Sequence, residues 1–270
     1  MWSSDSSRVR QNKVGMSHVP GSLRALLTNL IDYAGLYPPA ALALPVALAN
    51  YRHYLASPES WLLNRLVLPA SNLGDVDLGE NWRVTLLVND ESGPLPSQVE
   101  SLETKLPRKL SLPTYCEAPL DHITGAFAKV RTGGLTPEAV PMPAEIAEFL
   151  CRAAARRVPF KATAGLHHPL RGDHPLTYAA DSPHAIMHGF INVFVAAAFA
   201  WHGIDRAAVL GVLHECDPES FEFFDDALIW RGRSLSTGQI VAARRDFAHS
   251  FGSCSFEEPV ADLKALSWLR

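Results

Sequence analysis

The chain has 270 residues, 47% of them hydrophobic and 19% charged, with a formal net charge of −4. A chain of this length buries about three quarters of its unfolded surface, so it needs neither disulfide nor metal staples to fold. The acidic balance, without polybasic character, excludes a nucleic-acid groove or an anionic membrane surface as its main business.

Residues 1–20 are rich in Ser, Arg and Asn and lack a continuous apolar stretch, which reads as a disordered N-terminal extension rather than a signal peptide. Residues 21–270 read as a single (β/α)-barrel domain. Cys116, Cys151, Cys216 and Cys254 lie far apart with no CxxC pair, which points to a reducing, cytoplasmic compartment. The longest apolar run, residues 189–201, is 13 residues between His188 and His202, too short to span a bilayer.

In chain order, residues 30–35 predict a strand ending in a turn at Pro38-Pro39, and 40–56 a helix in which Pro45 either sits in the first turn or makes a kink. Ser57-Pro58 opens a short helix. Strands follow over 65–68 and 82–88, a helix over 96–106, and a fourth strand over 110–117. Residues 127–131 form a strand closing on Thr132-Gly133-Gly134. The segment 143–157 is a helix with Ile146, Phe149, Leu150 and Ala153 on one face, and 160–164 is the next strand. A loop over 165–181 leads to an apolar helix over about 182–202. Successive βαβ units imply parallel strands, and their number points to an α/β fold of the (β/α)8 (TIM) barrel type, complete or irregular at its C-terminal strands. Residues 221–230 and 251–256 would supply the missing strands, although 221–230 equally fits a hairpin beside an incomplete barrel.

Alternation puts Phe127, Lys129 and Arg131 on one face of their strand and Lys161 and Thr163 on one face of theirs. Lysine inside a buried parallel strand is costly unless it has a task or a partner. Neighbouring strands lie about 4.8 Å apart, so Lys129, Lys161 and Arg131 would repel in the barrel mouth. Repulsion would lower one lysine's pKa and yield the neutral amine of a Schiff base. Alternatively, one lysine pairs with a buried carboxylate such as Asp32 or Glu117.

Lys129-Val130-Arg131-Thr132-Gly133, followed by Phe160-Lys161 and Gly165, resembles the two lysine strands of the deoxyribose-phosphate aldolase family, class I aldolases on a (β/α)8 barrel. The resemblance implies Lys129 as the imine-forming nucleophile and Lys161 as the group that tunes it. Phe251-Gly252-Ser253-Cys254-Ser255 is similar to the family's last strand, which implies phosphate contacts at Gly252 and Ser253. Gly165-Leu166-His167-His168 stands where the family has a Gly-Gly phosphate loop, and four strands precede Lys129 where the family pattern has five. For the family's acidic proton shuttle, Asp32 and Asp90 are the candidates.

His167, His168 and His174 follow a strand's C-terminal end, where barrel enzymes build active sites, and His184 and His188 share a face of the expected helix. They could hold Zn or another divalent ion, act as general bases, or be solvated loop residues. Arg131, Thr132, Gly133 and Gly134, with Thr163, offer either an anion-binding turn or an ordinary strand end. The favoured reading is a lyase or aldolase-like enzyme on a small anionic carbonyl metabolite. It uses Lys129, Lys161, His167, His168 and Asp32, needs no cofactor, and contacts neither nucleic acid nor membrane. A metal-dependent hydrolase or decarboxylase on the His167, His168 and His174 loop is the second reading, and a non-catalytic binder of an anionic metabolite the third. Trp230, Phe256 and Trp268 suggest either a homo-oligomer contact or packing of the last helices.

Overall fold

The structure, a computed structural model, describes residues 18–89 and 94–270. Asp90 and residues 1–17 of the N-terminal segment lie outside them. His18 is docked, its Nε2 lying 3.0 Å from Asp225 Oδ1.

Eight parallel strands close into a barrel. In order they are β1 (Ile31–Tyr33), β2 (Leu63–Pro69), β3 (Val84–Leu87), β4 (Val99–Thr104), β5 (Thr114–Cys116), β6 (Phe127–Arg131), β7 (Phe160–Thr163) and, after a long excursion, the last strand (Ala248–Ser253), which pairs with both β7 and β1. That excursion begins with a hairpin, β8 (Gly172–Pro175) and β9 (His184–Met187). It continues through a three-stranded antiparallel sheet of β10 (Phe221–Phe223), β11 (Ala227–Trp230) and β12 (Arg233–Ser236), so the last barrel strand is β13. The helices are α1 (Gly21–Leu27), α2 (Leu44–Leu55), α3 (Pro143–Ala155), α4 (Phe190–Trp201), α5 (Arg206–His214), α6 (Thr237–Asp246) and α7 (Glu257–Ala265).

The helical coat is one-sided. Tyr33, on the outer face of β1, meets the edge of Tyr54 on α2 at 5.2 Å, and Phe160 on β7 packs against Phe149 of α3 and Phe194 of α4. Between β2 and β6 the described connections hold only the short 3-10 turns Ala70–Asp75 and Leu120–His122. Leu68, Leu86 and Leu102 are nevertheless fully buried beneath these loops.

Three sequence expectations change. Residues 96–106 carry Glu, Lys and Leu, good helix formers, yet they form β4. Pairing on both sides to β3 and β5 overrides that local preference. The expected helix over 182–202 starts at Phe190, because the N–H groups of Phe190 and Ile191 are taken by the carbonyls of His168 and Pro169. His184 therefore lies on β9 and shares no helix face with His188. Residues 221–230 form the hairpin that the alternative reading offered, part of the small antiparallel sheet and beside a complete barrel, and the last barrel strand is 248–253 rather than 251–256. Trp230 and Phe256 are buried within the chain, and Trp268 packs against Phe221 and Phe223 of β10.

Asn192 of α4 ties the segment before β8 and the end of α5 together within the excursion. Its Oδ1 accepts the Arg171 N–H at 2.9 Å, and its Nδ2 donates to the Val212 and Glu215 carbonyls at 2.7 and 2.8 Å. Asn192 is fully buried, and Asn192→Ala strands its partners and is expected to cost about 1–3 kcal/mol. A urea unfolding midpoint equal to that of the unmutated chain would show that water substitutes for the amide.

Candidate active site

Alternation along each strand turns Asp32 of β1, Glu103 of β4, Lys129 of β6, Lys161 of β7 and Ser250 of β13 into the barrel. Lys129 and Lys161 are direct register partners. Lys161 Nζ donates to Asp32 Oδ2 at 2.5 Å and also to Glu103 Oε1. Glu103 Oε2 in turn lies 2.8 Å from Lys129 Nζ, and Glu117 Oε2 lies 3.4 Å from the same ammonium. Asn64 Nδ2 at 2.6 Å and the Arg65 N–H at 3.2 Å donate to Asp32 Oδ1, and Ser250 Oγ at 2.8 Å shares Oδ2 with Lys161. The result is a chain of alternating charge, Asp32, Lys161, Glu103, Lys129, Glu117, running across the interior. Arg131 extends it to the rim, where its Nε donates to Glu117 Oε1 at 2.7 Å.

The lysine repulsion expected from sequence is thus replaced by pairing. Burial alone would push the Lys161 ammonium down, but the Asp32 and Glu103 carboxylates outweigh it and hold its pKa above the ordinary lysine value. Burial would likewise raise Glu103, and the Lys161 and Lys129 ammonium groups instead bring it down to about 2. Glu117, opposed by burial but bonded by Arg131 and close to Lys129, also sits below the ordinary carboxylate range. Three carboxylates face three cations, so the mouth carries no excess positive charge. Both of the pairings that the sequence offered as alternatives, lysine with Asp32 and lysine with Glu117, are present.

The two lysines differ in access. The Lys161 side chain is 1% exposed, whereas that of Lys129 is 9% exposed and that of Arg131 58%. Below them the interior is plugged: Tyr115 lies under Lys161, its hydroxyl 2.8 Å from His249 Nδ1, and Phe127 packs on both rings. Beside Lys129 a groove of about 510 Å³ runs between the strand ends and α3, lined by Glu117, Arg131, Glu148 and Arg152.

Thr163 and Gly252 are register partners on the interior face above Lys161. The remaining turn residues do other work. Thr132 Oγ1 donates to the Ala164 carbonyl at 2.5 Å, and a Cβ on Gly133 would meet Gly165 Cα at 2.8 Å. A Cβ on Gly134 would meet that of Ala139 at 2.6 Å. Thr132 and Gly133 therefore clamp the end of β6 to that of β7, while Gly134 packs on the turn that follows. Ser253 is buried, and its Oγ accepts the Ser255 N–H at 3.3 Å, which takes it out of the mouth.

The histidines form a separate cluster against α7. His167 Nδ1 lies 2.9 Å from Glu258 Oε2, and His168 Nδ1 lies 2.6 Å from Asp262 Oδ2. Because a carboxylate only accepts, each Nδ1 carries the proton. Glu258, raised by burial, is pulled below its ordinary value by the His167 hydrogen bond and the nearby imidazoles. His174 stacks on His168 with ring centroids 3.5 Å apart, and burial followed by that neighbour lowers its pKa. His167, His168 and His174 do not converge, and among the described residues no three His, Cys, Asp or Glu side chains are placed to hold a metal. The metal-dependent reading loses its expected ligand set.

Glu103 is the residue that sequence reasoning misses, because it lies in the segment read as helix. The alternation of Ser101 and Glu103 against Leu102, directly after another apolar strand, is the signal that would have found it. Among the described residues no helix is long and apolar enough to cross a membrane. No family model, curated protein or solved structure matches the chain.

Proposed function

We propose that the protein is a lyase of the class I aldolase kind, in which Lys129 forms an imine with a small carbonyl substrate. The observation that carries this reading is the unequal access of two register-paired lysines, Lys161 sealed between two carboxylates and Lys129 at the open end of the ion chain. With β4 counted, five strands precede Lys129, the number that the resemblance calls for. Glu117 accepts the Lys129 proton as the carbonyl approaches from the groove. The neutral amine adds to the carbonyl carbon, Glu117 returns its proton to the carbinolamine hydroxyl as water leaves, and a protonated imine remains. That imine draws electrons from the adjacent carbon while a C–C or C–H bond there breaks, chemistry that calls on no cofactor. Lys161 keeps Glu103 ionised and in place. Arg131, the most exposed cation of the ion network, is the contact for an anionic group on the substrate.

Reductive trapping tests this directly. The protein is incubated with small aldehydes, 2-oxo acids and phosphorylated ketones, reduced with borohydride, digested and mapped by peptide mass. A stoichiometric adduct on Lys129 is expected, and Lys129→Met should abolish it. An adduct confined to surface lysines, or none across the panel, would refute imine chemistry in the barrel.

A further inference from the structure

The wall of the barrel is open beside Lys129. On one side β6 stays paired with β7 as far as Arg131, which faces Thr163. On the other side the ladder with β5 ends at Cys116 and Ala128, so the stretch from Lys129 to Arg131 has no paired strand there. The groove of about 510 Å³ lies along that stretch, lined by Lys129, Val130 and Arg131, by the chain that leaves β5 and by one face of α3. Glu145, Phe149 and Arg152 stand at i, i+4 and i+7 of the helix, a spacing that puts them on one face.

The lining has two charged ends. Along the chain that leaves β5, Ala118, Pro119 and Leu120 separate Glu117, which holds Lys129 and Arg131, from Asp121, which holds Arg152. Phe149 adds a ring to this apolar stretch. At the Asp121 end two guanidinium groups, those of Arg152 and Arg156, share one carboxylate, which leaves a positive charge in excess. The carboxylates of α3 are taken elsewhere: Glu148 by Arg206 at 2.8 Å, and Glu145 by the Met142 N–H at 2.7 Å. Arg152 meets Asp121 through Nη2 alone, at 2.8 Å, and Arg131 meets Glu117 through Nε alone. Both guanidinium groups therefore keep donors for a ligand. A cavity of about 300 Å³ or more already holds a drug-sized ligand, so the groove is longer than a three-carbon carbonyl compound needs.

We propose that the substrate is an oxo diacid, with one carboxylate beside its carbonyl on Arg131 and a second anionic group, beyond an apolar length of chain, on Arg152. This rests on the imine-forming reading of Lys129. Arg152 touches no reacting atom. It is a specificity residue that holds the far end of the substrate, so that binding there helps to set the carbonyl against Lys129.

The test compares matched 2-oxo acids of five, six and seven carbons: 2-oxoglutarate, 2-oxoadipate and 2-oxopimelate against 2-oxopentanoate, 2-oxohexanoate and 2-oxoheptanoate. Within each pair only the distal carboxylate differs, replacing a methyl group. The full chain and Arg152→Gln are trapped with cyanoborohydride at subsaturating acid, and the rate is read as adduct on Lys129. The unmutated protein is expected to trap the diacid of at least one length about fivefold faster than its monoacid. Because Arg152 is half exposed, that preference should shrink as salt is raised. Arg152→Gln should bring the two rates together. A bridge that merely ties α3 to the turn at Asp121 would instead give a lowered melting temperature with the preference intact. If monoacids and diacids are trapped equally at every length, or if Arg152→Gln keeps the preference, the diacid assignment is overturned while the imine reading stands. If none of the six acids, nor pyruvate, forms an adduct on Lys129, the imine reading fails and the assignment falls with it.

Discussion

Replacing Lys161 by Met is expected to destabilise the protein by about 3–5 kcal/mol, because it leaves two buried carboxylates without their shared counter-ion. For a chain of this size that corresponds to a drop in Tm of roughly 6–20 °C. Methionine fills a similar volume, so the loss reports charge more than packing. Asp32 and Glu103 are 1% and 3% exposed, and neither can turn to water. Adding Asp32→Asn to the variant should recover part of the loss, since Glu103 then remains paired with Lys129 alone. The pH dependence separates this cause from others. In the unmutated protein Glu103 is held at about 2 against an ordinary value of 4.5, so its contribution is complete above about pH 4.5 and fades as pH falls toward 2. Without Lys161, burial pushes Glu103 upward against Lys129 alone, and protonation relieves it. The stability gap between the two proteins should be widest near neutrality and narrow in acid. A gap of equal size at pH 4 and pH 7 would mean that lost packing, not unpaired charge, is responsible.

The parts of the molecule that were legible in the sequence are those where local pattern and tertiary role agree. The strands bearing Lys129 and Lys161 alternate cleanly, and the helix after the first carries its apolar stripe toward Phe160. Misreadings occur where local preference and tertiary pairing disagree. Glu100, Leu102, Glu103 and Lys105 favour helix locally, while two flanking parallel strands make the segment β4 and turn Glu103 inward. That one misreading hid both a barrel strand and the carboxylate that bridges the lysines. It also made the interior look positively charged, because the lysines were legible and one of their counter-ions was not. The histidine loop was placed correctly beyond β7, but its partners Glu258 and Asp262 lie more than 90 positions away in sequence, on a helix that no local pattern links to it. Glycines carry the same ambiguity. Gly133 reads as freedom to bind an anion, whereas in the folded chain it is freedom from a Cβ.

That last distinction gives the second large expected effect. Gly165 has φ +76°, and a Cβ there would lie 2.7 Å from Gly133 Cα and 3.1 Å from its N. Gly165→Ala therefore incurs two costs, about 1–2 kcal/mol for a left-handed residue with a side chain and about 1–3 kcal/mol for forcing apart packed backbone. Together they predict a loss of roughly 2–5 kcal/mol. Gly203 and Gly232 provide the comparison, with φ of +73° and +77° and no atom within 4 Å of an added Cβ. Gly203→Ala and Gly232→Ala should lose only the first cost, about 1–2 kcal/mol, so the excess at Gly165 measures the backbone contact alone. The contact matters for the site because it joins the ends of β6 and β7 directly above the Lys129 and Lys161 pair, with Thr132 Oγ1 bonded to Ala164 O alongside it. Spreading those ends shifts Lys129 relative to Glu103 and Glu117, so Gly165→Ala should also slow trapping on Lys129, while Gly203→Ala should not. Equal unfolding midpoints for Gly165→Ala and Gly203→Ala would show that the two strand ends do not press on each other. A slowed Gly203→Ala would instead show that trapping follows general stability rather than the clamp.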